Sequence, residues 1–133
     1  MTRTLAQDFY FIAAIGVLGA HLVFNLWYVF GSTVTKNRPR LEIVHILTLV
    51  YGVIAENASF ACPLTLLEKY YQLRAGLTPY SGPFELHYLR TMVTPNFPLW
   101  LLGYGAVAIF LINAAIYSRR FAVRYAQSHR PAH

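Results

Sequence analysis

Apolar residues fall into three long runs separated by polar segments. The first, Phe9 to Phe30 (FYFIAAIGVLGAHLVFNLWYVF), holds 22 residues without Asp, Glu, Lys or Arg. As a helix it reaches about 33 Å, enough to cross a bilayer. Asp8 precedes it and no small-x-small cleavage site closes it, so it reads as a spanning helix rather than a signal peptide. Trp27 and Tyr28 stand where interfacial anchors belong. The second run, Leu41 to Ala61, is less purely apolar, with His45 and Glu56 inside it. The third, Pro98 to Tyr117, again lacks formal charge and is closed by Arg119 and Arg120. Pro98 fits a first-turn proline, with Asn96 as its cap. The expectation is an all-α integral membrane protein of one domain, with three transmembrane helices at about residues 9–30, 41–61 and 98–117 and a basic C-terminal tail at 118–133.

Between the second and third runs lies a connection, Cys62 to Phe97, too charged to cross a bilayer. Thr65 and Glu68 match a capping box and Gly76 supplies a stop, which predicts a short helix over Leu66–Ala75. Its mixture of Leu66, Leu67, Tyr70, Tyr71 and Leu73 with Lys69 and Arg74 suits a membrane surface. A turn cluster from Thr78 to Pro83 follows, then a second short helix from Phe84 to Val93.

Composition strengthens the membrane reading. Of 133 residues 56% are hydrophobic and 12% charged, about half the charged share of a soluble domain. The net charge of +6 does not point to nucleic acid, because the basic residues are scattered through loops and termini. Lys36, Arg38, Arg40, Arg119, Arg120, Arg124 and Arg130 fall on one side of a three-span topology, against Arg3, Lys69, Arg74 and Arg90 on the other. That asymmetry places the N-terminus outside, the C-terminus in the cytoplasm and the long connection on the periplasmic or extracellular side.

Ionisable groups at membrane depth are costly unless partnered, which singles out His21, His45 and Glu56. Each run carries small and polar residues on one stripe: Ala14, His21, Asn25 and Tyr28; His45, Thr48, Gly52, Glu56 and Ser59; Gly103, Ala106, Asn113 and Tyr117. Facing stripes would hydrogen-bond between helices, with Asn25, Thr48 and Asn113 as structural polar groups and His21 bonded to a carbonyl or to the Thr48 hydroxyl. The sharper reading is a cofactor site. His21 and His45 differ in depth by about 7–9 Å, which argues against axial ligation of one haem. A quinone or lipid pocket, or a proton path along His45, Thr48 and Glu56, uses the same groups.

Other chemistry has weaker support. Glu42 and His45 form one E-x-x-H pair beside Arg40, read as a first-turn carboxylate on a helix dipole. Cys62, Glu68, Glu85 and His87 gather metal-ligating types without a close ligand pair. One cysteine excludes an internal disulfide, and no phosphate loop, G-x-S-x-G elbow or H-E-x-x-H is present.

The outer connection is distinctive. Cys62-Pro63-Leu64-Thr65-Leu66-Leu67-Glu68, then Tyr80-Ser81-Gly82-Pro83-Phe84 and His87-Tyr88-Leu89, together with His21 and Glu56, resembles a family of small bacterial membrane proteins, domain of unknown function 2784. The resemblance covers about residues 9–117. It departs at Leu66, where the family has a second proline, and at Glu85, one or two places early. It implies a membrane fold and brings no activity with it.

Two functions follow as expectations. The first is a non-catalytic accessory subunit of a larger membrane complex, packing against lipids and other membrane subunits through apolar and aromatic faces. The second is a module binding a quinone, haem or lipid through His21, His45, Glu56 and His87. The outer motif of Cys62, Pro63, Thr65, Glu68, Tyr80 and Gly82 caps the bundle in either case. No particular cofactor is implied, nor a catalytic residue or a metal.

Overall fold

The computed structural model describes residues 2–58 and 60–131, so Ser59, placed above on the second polar stripe, lies outside the described residues. Among the described residues there are five helices: α1 (Leu5–Val34), α2 (Pro39–Asn57), α3 (Pro63–Arg74), α4 (Phe84–Met92) and α5 (Leu99–Ser128).

Helix α1 opens on a reciprocal cap, in which the Thr4 hydroxyl accepts from Gln7 N–H and the Gln7 side chain accepts from Thr4 N–H. After Val34 the chain reverses through Asn37, whose left-handed φ of 64° asparagine tolerates. Pro39 then starts α2 from its first position.

Two helices, α1 and α5, are long and apolar enough to cross a membrane; the expected third is not. Pro39 sets the start of α2 and Asn57 ends it, short of Ala61. The helix therefore takes in three charged residues, Arg40, Glu42 and Glu56, in nineteen positions. Helix α5 continues past Tyr117 to Ser128, so most of the expected basic tail is helical. It starts at Leu99 with Pro98 as cap residue; Asn96 makes no cap.

Side-chain bonds fix the register. Tyr28 OH donates to Ala106 O (3.2 Å), and the Thr35 and Tyr117 hydroxyls lie 2.9 Å apart, so α1 and α5 run parallel. Glu42 meets Arg124, His45 meets Tyr117 and Asn57 lies beside Gly103, so α2 returns antiparallel to α5. Tyr28, Leu49 and Tyr117 form the core between the three. Gly31 and Gly52 admit the rings of His45 and Tyr28, since a Cβ at either position would overlap the ring. Three of the five buried residues of α1, Ala14, His21 and Tyr28, recur every seventh position and mark the face turned inward, which Gly31 and Ser32 extend at its end.

Glu42 does more than sit on a helix dipole. It is buried, with its two oxygens 2.9 and 2.8 Å from the Arg124 guanidinium and Arg120 at 3.6 Å. The Arg124 guanidinium holds its carboxyl below the usual range. A carboxyl held lower in the folded than the unfolded chain contributes its full stability above about pH 4.3, the ordinary glutamate value, and loses it as pH falls from there through the lowered value. The melting temperature of the wild type should fall through this acid window. Glu42→Gln should melt lower at neutral pH and show a shallower acid dependence.

Helix α3 continues along the N-terminal half of α1, with Tyr71 stacked on Tyr10 (6.1 Å) and Arg74 over the same ring (5.5 Å). The expected capping box is absent. Pro63 starts the helix three residues earlier than Leu66, Cys62 is the cap residue, and Thr65 is buried in the first turn. Glu68 instead turns inward, 1% exposed, and accepts from Gln72 (3.0 Å), Tyr80 OH (3.1 Å) and Tyr88 OH (3.3 Å). Burial and the Glu68 charge push both phenols up, Tyr88 to about 12, so both remain donors. Gly76, at φ 76°, provides the expected stop, and Gly82, at φ 83°, accepts from Lys69 Nζ at 2.8 Å. The connection is thereby tied to α3 and carries α4 onto the bundle.

Candidate functional site: a cavity with one polar end

Where α2 stops and α3 begins, the bundle forms a partly open cavity of about 740 Å³. Its walls are apolar, with Phe24, Val29, Phe97, Leu102 and Ile109 from α1, α5 and the loop before α5. His21, Glu56, Cys62 and Glu85 gather as its ionisable lining. Four elements supply this polar end: α1 gives His21, α2 Glu56, the α2–α3 break Cys62, and α4 Glu85.

His21 is 1% exposed. Its ring stacks on Phe84 with centroids 3.7 Å apart, and Nε2 lies 3.4 Å from Glu85 Oε1. Its Nδ1 is buried without a hydrogen-bond partner, an uncommon condition for a polar atom removed from water. Burial pushes the Glu85 carboxyl up, but His21, the backbone N–H of Glu85 itself and Asn25 more than offset this and hold it below the usual range. Burial likewise pushes the Cys62 thiol up, but the His21 ring and the backbone N–H groups of Thr65 and Leu64 favour the thiolate more and leave it below the usual range.

Glu56 shares the cavity with His21, and Asn25 lines it. His45 lies outside it, with Nδ1 2.6 Å from Tyr117 OH and Nε2 3.2 Å from Tyr28 O. Both ring nitrogens are thus engaged, and the two histidines do not converge on one ligand. His87 stacks on Tyr80 at 4.2 Å, also away from the cavity. Thr48 accepts from Trp27 Nε1 (3.3 Å) and donates to Val44 O, so it does not serve His21. Asn113 donates to Ile109 O (2.9 Å) and Val29 O (3.4 Å), linking α5 to α1. Of the outer motif, Cys62 enters the cavity, while Pro63, Thr65, Glu68, Tyr80 and Gly82 build the connection above it. Among the described residues no group of three His, Cys, Asp or Glu side chains is placed to hold a metal ion.

Sequence reasoning missed Glu85 as the partner of His21 and Phe84 as its stacking surface. The available signal was the pair's position at the first turn of a short helix, directly after a turn that returns the chain toward the bundle. A second cavity, of about 790 Å³, shares Glu56, Cys62 and Glu85 with the first and is lined elsewhere by Lys69, Trp100 and Tyr104. The polar groups therefore form a wall common to both cavities.

No curated protein and no solved structure matches this sequence. A family model described as Protein of Unknown function (DUF2784) matches residues 11–119, and the chain belongs to that family.

Proposed function

We propose that the protein is a membrane module that binds an amphipathic molecule of lipid or quinone type, its apolar part in the cavity and its polar head at His21. The observation that carries this reading is the cavity of about 740 Å³, apolar along its walls and ending on a buried histidine with a free nitrogen. Cavities of this size with a few convergent polar groups are the usual form of a small-molecule site. The protein sits in a bacterial inner membrane. The end bearing Lys36, Arg38, Arg40 and Arg119 faces the cytoplasm, and the N-terminus lies outside.

Purified protein in mild detergent, titrated with a dansyl-labelled fatty acid, should enhance dansyl emission in a saturable way. Gly105 lines the cavity, and a Cβ there meets no atom within 4 Å. Gly105→Phe should therefore fill the space and weaken binding at least about tenfold, equivalent to about 1.4 kcal/mol. Equal binding by the two proteins would contradict the assignment.

A second reading, the non-catalytic accessory subunit, draws on Trp100, Tyr104, Phe121 and Tyr125, which stand exposed along α5. Exposed aromatics of this kind suit a subunit interface. Isolation from native membranes with a stoichiometric partner would support it, and a lone chain in mild detergent would oppose it.

A further inference from the structure

The polar end of the cavity combines a thiol, an imidazole and a carboxylate contributed by three different segments. Cys62 is a free cysteine, half-buried, at the cap position of α3. It lines the cavity together with His21 and Glu85. His21 Nε2 is turned to Glu85 Oε1 at 3.4 Å, while Nδ1 is buried and free to take a proton. The order nucleophile, base and orienting carboxylate is the arrangement that activates thiols in acyl transfer. The N–H groups of Leu64 and Thr65, in the first turn of α3, have no intrahelical partner and are turned to the Cys62 sulfur, where they favour the thiolate. The adjoining cavity accepts an apolar chain.

We propose that Cys62 is a catalytic nucleophile that accepts an acyl group from a long-chain ester, with His21 as its base and Glu85 as a positioning residue. This rests on the binding reading above and adds a reaction to it. His21 takes the thiol proton as the Cys62 sulfur adds to the ester carbonyl carbon. The tetrahedral species collapses with cleavage of the acyl C–O bond, and the proton on His21 passes to the departing alkoxide. The products are S-acyl-Cys62 and an alcohol. The second cavity, across the same polar wall, is the route by which the alcohol leaves and by which water or another acceptor reaches the thioester. No oxidant or reductant is required.

The test uses the purified full chain in mild detergent with palmitoyl 4-nitrophenyl ester as donor. Intact mass should rise by one palmitoyl group, at Cys62, with release of nitrophenolate, and neutral hydroxylamine should remove the adduct. Cys62→Ser should gain no hydroxylamine-labile adduct. His21→Gln should slow acylation by about 100-fold or more, although iodoacetamide at alkaline pH still alkylates its Cys62. Glu85→Gln should move the midpoint of the acylation pH profile downward, because the His21 imidazolium loses its neighbouring carboxylate, a change that a purely structural role would not produce. The acetyl ester should react more slowly than the palmitoyl ester, because it leaves the apolar walls unused. If the wild type binds dansyl fatty acid but gains no adduct, the inference fails and the binding reading stands. If it neither binds nor reacts, both fail. Equal rates for wild type and His21→Gln would reduce Cys62 to an ordinary accessible thiol and overturn the proposal.

Discussion

Replacing Gly31 with leucine is expected to lower the melting temperature sharply and to release His45 from both of its partners. The ring of His45 lies where a side chain at Gly31 would begin, so even a Cβ cannot enter without displacing it. Displacement costs the bonds to Tyr117 OH and Tyr28 O, both in the buried core. Overpacking a core costs about 1–3 kcal/mol. A buried polar group left without its partner adds about 1–3 kcal/mol. Trp27 lies edge-on to His45, with ring centroids 5.1 Å apart, so its fluorescence reports the displacement directly. Gly16→Leu is the matched control, because a Cβ at Gly16 meets nothing within 4 Å. It should melt within a degree or two of the wild type, whereas equal melting of Gly31→Leu would show that the helices do not approach at this point.

The second large effect is expected at Glu68. Its buried carboxylate is the shared acceptor for Gln72, Tyr80 and Tyr88, and through them it holds the turn cluster and α4 against α3. Glu68→Leu removes the acceptor and leaves three half-buried donors, at about 1 kcal/mol or more each, roughly 3 kcal/mol together. Glu68→Gln keeps one carbonyl acceptor and should lose less. Because α4 also carries Phe84 and Glu85 to His21, the leucine variant should lose binding of dansyl fatty acid along with stability. Limited proteolysis gives the local readout, with faster cleavage between residues 76 and 83 in Glu68→Leu. Cleavage unchanged from the wild type would mean that other contacts hold the connection.

These residues show what the sequence makes legible. Inward faces were readable because apolar and small residues repeat with helical period, and Ala14, His21 and Tyr28 do face inward. His21 and Glu56 stood out because ionisable groups in apolar runs are costly, and both line the cavity. The pairing of Glu85 with His21 was legible only as a position after a turn, since its approach depends on how the 76–83 turn, held by Glu68, directs α4 back to the bundle. The number of spanning helices was misjudged because hydropathy locates an apolar run and not a helix boundary. Pro39 and Asn57 shift α2 toward its charged end, and two helices qualify where three were expected. The same limit hid Arg124. A basic residue after an apolar run reads as a topology signal, yet α5 continues and delivers that side chain to Glu42. Thr65 and Glu68 have capping-box spacing, but Pro63 starts the helix earlier and draws Thr65 inside its first turn.

The proposed occupant of the cavity beside His21 is an amphipathic molecule. Organic extraction and mass spectrometry of the protein isolated from native membranes in mild detergent test this most directly. The wild type should carry close to one equivalent of a single class of long-chain amphipath, and Gly105→Phe, purified in parallel, should carry almost none. Identical lipid content in the two preparations would contradict it.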